Sequence, residues 1–136
     1  MNEGEFQIHT MPSVYVLEAQ MPQQMIDNVN DYMDEYRKDK NKESLAKTLV
    51  GQIDKGEQLL LDHNDKRMVE YNNFICSLGA EYINHFAASG NSVKGPKQVQ
   101  IDETWSVHSY DGDYNPIHDH GTKTLMGIST TAWTKV

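Results

Sequence analysis

The spacing of apolar residues changes from a helical period to a strand-like period near Pro96, and this change constrains the fold more than any other feature of the sequence. Before it, two segments carry apolar side chains at intervals of three and four residues, as one face of an α-helix requires. After it, residues 97–110 alternate imperfectly between apolar and polar, which is typical of a β-strand. We therefore expect a single α+β domain over residues 1–136, mainly helical over 1–96 and β over 97–136.

The first helical segment follows Pro22, a residue that fits the first turn of a helix. A β-branched and aromatic stretch, 13–20, precedes it and predicts a short strand. The helix extends to about residue 38, and the polar run 39–44 ends it. We interpret its apolar face as core packing; the face consists of Met25, Ile26, Val29, Tyr32, Met33 and Tyr36.

The second helical segment begins at Asp65, a side chain that suits an N-cap, and extends to about Ala88. Serine, glycine and asparagine in 89–92 end it. Cys76 lies near its apolar face and is predicted to be a buried small residue. The intervening stretch 45–63 has no clear period. SLAKTLVGQI could form a short helix, although Gly51 and Gly56 interrupt it, and GEQLLLD fits either a short strand or an extended segment. The apolar face consists of Met68, Tyr71, Asn72, Ile75, Leu78, Gly79, Tyr82 and Phe86.

Composition excludes several classes of function. The net charge of −8 argues against a nucleic-acid or anionic-membrane surface, because both attract an excess of lysine and arginine. A single cysteine allows neither a disulfide within the chain nor a cysteine-rich zinc module, and it suits a reducing compartment. The N-terminus lacks a basic start, and no segment reaches the roughly 18 apolar residues of a membrane helix. We expect a cytoplasmic protein.

Residues 114–121, YNPIHDHG, contain two histidines on either side of an aspartate. On a strand, side chains two residues apart point to the same face, so His118 and His120 would project together. Two imidazoles on one face can form half of a metal site. A second pairing, His118 with Asp119, stays open, although neighbouring side chains on a strand diverge.

Turn chemistry explains the residues before this motif. The stretch 111–116, DGDYNP, combines Asp-Gly with Asn-Pro and predicts a turn. Asp111 and Asp113 repeat the beginning of a calcium loop, but the glycine and glutamate that complete such a loop are missing. His108 alternates with Ser106 and is interpreted as a hydrogen-bonded strand histidine. The histidines without a partner at ligand spacing are predicted to be surface residues; they are His9, His63 and His85.

The stretch 105–136 resembles the Fe(II)/2-oxoglutarate-dependent oxygenases, in particular a branch that is frequent in marine phages and bacteria. The likeness rests on a Trp-led strand, an aromatic residue, the string Gly-Asp-Tyr-Asn-Pro-x-His-x-His and a strand of small residues. The resemblance implies a double-stranded β-helix, or jelly roll, on whose start the N-terminal strand and the two helices pack. It also implies hydroxylation of a substrate, coupled to oxidative decarboxylation of 2-oxoglutarate to succinate and CO₂.

The resemblance assigns roles to four residues. His118 takes the place of the first metal ligand, and His120 takes the place that a carboxylate usually holds. Tyr110 matches an aromatic position that often lines the cosubstrate pocket, and Thr124 opens the next strand beside it. Fe(II) and 2-oxoglutarate are the implied cofactors, and no substrate is indicated.

Two parts of the family pattern are absent from the sequence. No histidine follows His120 to serve as the third ligand, and the two arginines, Arg37 and Arg67, lie on predicted helices upstream. We therefore expect a truncated chain with an incomplete jelly roll, whose open sheet edge would favour association between copies. A β-barrel binding or structural module without catalysis is the alternative. A cupin-type dioxygenase fits less well, because its additional glutamate is missing after the histidine pair.

Overall fold

The computed structural model describes residues 4–11, 14–48, 51–89, 98–116 and 128–135. The predicted α+β class is confirmed, since the described elements are two α-helices and two small antiparallel sheets. In chain order they are β1 (Phe6–Met11), β2 (Val14–Ala19), α1 (Gln23–Tyr36), a short 3-10 helix (Ala46–Thr48), β3 (Glu57–Leu60), α2 (Val69–Ala88) and β4 (Trp105–His108).

The first sheet is the hairpin of β1 and β2, which pair antiparallel from Phe6 opposite Ala19. The strand predicted over 13–20 is confirmed as β2, whereas β1 was not predicted. The hairpin packs on α2 through Tyr15. The Tyr82 hydroxyl donates a hydrogen bond to the Tyr15 carbonyl oxygen at 2.8 Å, and the Tyr15 ring meets the Phe86 ring edge to face.

Helix α1 provides one wall of the main core. It follows Pro22 as predicted and ends at Tyr36, two residues before the predicted end. Its interpretation as a core helix is confirmed, because its apolar face is largely buried. The core cluster consists of Val29, Tyr32, Met33, Leu59, Leu61 and Met68.

The second sheet pairs β3 with β4, with Glu57 opposite His108 and Leu60 opposite Trp105. The short strand predicted in 45–63 is therefore confirmed as β3, and the short helix before it is only three residues long. Leu59, in the middle of β3, is completely buried. On the other side of β3, Ser44 forms a bridge with Leu59.

Two predicted strands are shorter or absent among the described residues. Among the described residues, the strand predicted over 97–110 is confined to β4. Just before β4, the Leu61 N–H donates to the Thr104 carbonyl oxygen at 2.8 Å. The described part of the run 124–136, residues 128–135, forms no strand. Side chains of α1 hold this segment instead: Asn30 Nδ2 donates to the Thr134 carbonyl oxygen at 3.1 Å.

Helix α2 begins at Val69, so the prediction of Asp65 as its N-cap is wrong. The Asp65 carboxylate accepts the Arg67 N–H at 2.8 Å and forms a turn before the helix. Cys76 was predicted to be buried but is half-buried. The helix ends at Ala88 as predicted. Within the described ranges, neither helix has the length and apolar character needed to cross a membrane.

Candidate functional site

Three of the four residues that the resemblance assigned lie outside the described residues: His118, His120 and Thr124 all belong to 117–127. Tyr110 is described, and its side chain is about half exposed just after β4. The described part of the chain contains no group of three or more His, Cys, Asp or Glu side chains placed to hold a metal ion. The candidate site is therefore built from the segments that lead into the histidine motif.

A tight turn follows β4 and is closed by Asp113. The Asp113 N–H donates to the Tyr110 carbonyl oxygen at 2.9 Å, and the Tyr110 N–H donates to Asp113 Oδ2 at 3.0 Å. Gly112 has a φ of +90°, which favours glycine. The hydrogen bond from the Tyr110 N–H is the main cause that lowers the pKa of Asp113. The prediction of a turn at 111–116 is confirmed for its described residues.

The same carboxylate fastens the turn to the loop 51–56. Asp113 Oδ1 accepts the Asp54 N–H at 2.8 Å, and the Tyr114 N–H donates to the Gln52 carbonyl oxygen at 2.8 Å. These bonds join two segments that are distant in the sequence. The residues that precede the histidine motif are thus held by backbone contacts from an earlier loop.

Two glycines allow this close approach. A Cβ atom on Gly56 would lie 2.2 Å from the His108 carbonyl oxygen and 2.6 Å from Asp113 Oδ2. A Cβ atom on Gly51 would lie 2.2 Å from the Tyr114 carbonyl oxygen. Both glycines lie in the stretch 45–63, and each permits a backbone contact with the turn.

Arg37 connects Tyr110 to an ion-pair network. Its Nη2 donates to the Tyr110 hydroxyl oxygen at 3.0 Å, and its Nε donates to Glu57 Oε2 at 3.1 Å. Lys42 Nζ pairs with the other oxygen of Glu57 and also donates to the Arg37 carbonyl oxygen at 2.7 Å. The hydrogen bonds to Tyr110 and then Glu57 raise the pKa of Arg37, and the bonds from Lys42 and Arg37 lower the pKa of Glu57.

His108 lies opposite Glu57 in the β3–β4 ladder. Its Nε2 is 3.0 Å from Ser106 Oγ, so the prediction of a hydrogen-bonded strand histidine is confirmed. Burial, and next the positive charge of Arg37, lower the pKa of this imidazole. The side chain is therefore neutral near neutral pH and adds no positive charge to the network.

An open cleft of about 390 Å³ lies over this network and is lined by Asp34, Arg37, Lys38, Lys42 and Glu57. Lys135 Nζ pairs with Asp34 Oδ2 at 2.7 Å, and this hydrogen bond is the main cause that lowers the pKa of Asp34. We call these six residues the basic cleft. It contains four cations and two carboxylates, so it carries an excess of two positive charges. Sequence reasoning did not identify it, because its members come from three separate segments.

A second depression, of about 360 Å³, lies around Arg67 and shares Lys38 with the first. The guanidinium is 4.9 Å from the centre of the Tyr32 ring, pairs with Asp65 at 2.9 Å and pairs also with Glu35. Its charge is thus matched by two carboxylates. We interpret it as structural, since it ties the turn before α2 to α1.

Compared with known proteins, the chain matches no family model, no curated protein and no solved structure. The resemblance to the oxygenases therefore depends on the residues of 105–136. The hydrogen bonds of Tyr110 and Asp113 do not depend on that resemblance. They show how the turn before the histidine motif is held.

Proposed function

We propose that this chain acts as an Fe(II)/2-oxoglutarate-dependent oxygenase, with His118 and His120 as metal ligands and 2-oxoglutarate bound near Tyr110 and Thr124. The string Gly-Asp-Tyr-Asn-Pro-x-His-x-His carries the proposal. The anchored turn supports it, because a metal site needs ligands that are held in place before the metal binds.

The antiparallel pairing of β3 with β4 supports a further part of the proposal, that this sheet belongs to a jelly roll. Such folds are built from antiparallel strands arranged in two sheets. β4 is followed directly by the turn that leads to the histidines, so the strand and the proposed ligands belong to one continuous segment.

The chemistry of the donors suits the metal in part. Two imidazoles are suitable ligands for iron. The described residues alone do not complete a metal site. When bound, Fe(II) and 2-oxoglutarate would supply the oxidising chemistry of the reaction. In the chain itself, Asp113 holds the turn, and Arg37 donates to the Tyr110 hydroxyl oxygen. The hydroxyl proton of Tyr110 remains available as a donor to an oxygen of a bound carboxylate.

Anaerobic titration with Fe(II), with and without 2-oxoglutarate, tests the proposal. We expect the weak visible charge-transfer band of the ternary complex to appear, and to be lost in His118→Ala and His120→Ala. His63→Ala is the matched control, because His63 is exposed and far from the motif in sequence. A folded chain that does not bind iron, or one that binds equally well without His118, would contradict the proposal.

The same titration decides between the two pairings left open by the sequence. If His120 is the second ligand, Asp119→Ala keeps the band. If Asp119 is the ligand, its alanine variant loses the band and His120→Ala keeps it.

The second candidate function is a binding or structural module of the same fold without catalysis. The observation that favours it is the histidine at position 120, where the family usually has a carboxylate. A stable, folded chain without iron affinity is the result expected for this candidate.

We further propose a cytoplasmic protein whose partners are neither nucleic acid nor membrane, on the grounds of its net charge of −8 and its single cysteine. The outer edge of β4 has no strand partner among the described residues, which supports association between copies. Light scattering over a range of protein concentrations tests this, and a mass that stays at one chain would contradict it.

A further inference from the structure

We propose that the basic cleft binds a small dianion, either a dicarboxylate or a phosphate monoester, through Lys38 and the free donors of Arg37. The site lies on described residues and requires no iron. The proposal does not depend on the oxygenase function, although the cleft adjoins the proposed 2-oxoglutarate site, because Arg37 also donates to the Tyr110 hydroxyl oxygen.

The distribution of charge is the first argument. The whole chain has 12 lysines and arginines against 20 aspartates and glutamates. The basic cleft holds four of those cations and two of those carboxylates. A positive cleft on a negative protein has a local electrostatic potential that attracts anions. The negative charge of the remaining surface repels them, so anions are directed to the cleft.

The second argument is that the two carboxylates are already occupied. Glu57 forms ion pairs with Arg37 and Lys42, and Asp34 forms an ion pair with Lys135. The lowered pKa values of both carboxyl groups keep them charged near neutral pH. They hold the cations in place. Within the six residues of the basic cleft, the cations then outnumber the carboxylates by two, which matches the charge of a dianion.

Free donors are the third argument. A guanidinium has five N–H groups. Arg37 uses one at Glu57 and one at Tyr110, so three remain for a ligand as far as the described residues show. Lys38 lines the cleft, and its ammonium forms no ion pair with a described residue. An ammonium and part of a guanidinium that line one cleft are suitable donors for carboxylate or phosphate oxygens.

A simpler explanation is that these cations only stabilise the end of α1. Basic side chains at a helix C-terminus interact favourably with its dipole, and this applies to Arg37 and Lys38. It extends to Lys42 as well, because Lys42 Nζ donates to the Arg37 carbonyl oxygen at the end of the helix. It does not apply to Lys135, which comes from the segment 128–135 and pairs with Asp34. The cluster is thus assembled by tertiary structure and is larger than the helix end requires.

The size of the cleft restricts the ligand. A volume of about 390 Å³ is within the range of small-molecule sites. A nucleic acid would meet the acidic remainder of the chain, so a free small molecule fits better.

The test is calorimetric titration of the metal-free chain at low ionic strength, with succinate in one arm and methyl phosphate in the other. We expect saturable binding in at least one arm, and the arm that saturates identifies the class of anion. Lys38→Gln should weaken it by roughly tenfold, because one charge-assisted contact is lost. Since Lys38 has no ion pair to lose among the described residues, this variant should fold normally.

Lys66→Gln is the matched control, because it removes the same charge from an exposed turn outside the cleft. Its affinity should equal that of the unchanged chain. NMR shifts of backbone amides provide an independent readout, with the changes expected at residues 37–42 and not at 65–67. Equal weakening by both substitutions, shifts spread over the whole surface, or no saturation of either arm below about 10 mM would each overturn the proposal.

Discussion

Asp113 accepts the backbone N–H of Asp54 at 2.8 Å, across a separation of 59 residues. The same carboxylate accepts the N–H of Tyr110, inside its own turn. One side chain therefore both closes the turn after β4 and fixes that turn to an earlier loop. Asp113 belongs to the string on which the proposed function rests, and its contacts among the described residues are structural.

Replacing Asp113 by alanine is expected to lower the melting temperature by a few degrees, because the N–H groups of Tyr110 and Asp54 lose their acceptor. Thermal unfolding followed by circular dichroism measures this. Asp111→Ala is the control, since Asp111 is exposed in the same turn and its carboxylate makes no hydrogen bond to a described residue. Equal melting temperatures for the two variants would contradict the anchoring role.

Gly56→Ala is expected to destabilise the fold by about 1–3 kcal/mol, because the added methyl group meets the His108 backbone oxygen and the loop must move away. Urea unfolding gives the change in the free energy of unfolding. Gly79→Ala is the control. Its methyl group would meet the side-chain end of Val99 at 3.2 Å, and alanine favours the helix by about 1 kcal/mol. A larger loss at Gly79 than at Gly56 would show that the close approach is not required.

Tyr32→Phe is expected to cost about 1 kcal/mol in the free energy of unfolding, because the Tyr32 hydroxyl oxygen accepts the Asp62 N–H at 2.9 Å in a partly buried position. Tyr71→Phe should change it little. Tyr71 also packs against the core, but its hydroxyl makes no hydrogen bond to a described residue. Urea unfolding of both variants makes the comparison, and an equal cost would argue against a specific role for the bond.

The Asp65–Arg67 pair predicts a dependence of stability on acid. The bond from the Arg67 side chain is the main cause that lowers the pKa of Asp65 to about 2. A carboxyl group with a lowered pKa in the folded state stabilises that state fully above its unfolded pKa, near 3.9, and loses this contribution as the pH falls through the folded value.

Asp65→Asn should therefore be less stable than the unchanged chain at pH 6, with the difference in the free energy of unfolding shrinking between pH 4 and pH 2. Urea unfolding at a series of pH values measures it. A difference that stays constant over this range would mean that the ionised carboxylate contributes nothing to folding.

The helices could be predicted from the sequence because each has one apolar face. The residues of such a face recur every three or four positions along the chain. The exact beginnings of the helices were less accessible. Asp65 is the right type of residue for an N-cap, but aspartate closes turns equally well, and Arg67 at the second following position selects the turn. β1 was missed although Phe6 and Ile8 alternate with polar residues, because this alternation extends over only four residues and is too short to identify a strand by itself.

Only part of the candidate site could be predicted from the sequence, because most of its contacts join residues that are far apart in the chain. Turn chemistry at 111–116 is local, and it predicted the turn correctly. The pairing of Arg37 with Tyr110 spans 73 residues, and nothing near either residue specifies the other. The basic cleft depends in the same way on how α1, β3 and the segment 128–135 meet, so composition alone suggested an acidic surface.

The pairing of β3 with β4 has a consequence for synthesis on the ribosome. β3 is complete at Leu60, but its partner begins at Trp105, after the whole of α2. During that interval the emerging chain carries β3 with one edge unpaired, which is the kind of edge that recruits other strands. The turn that leads into the histidine motif can be fixed only afterwards, so this turn is among the last parts of the described fold to be organised.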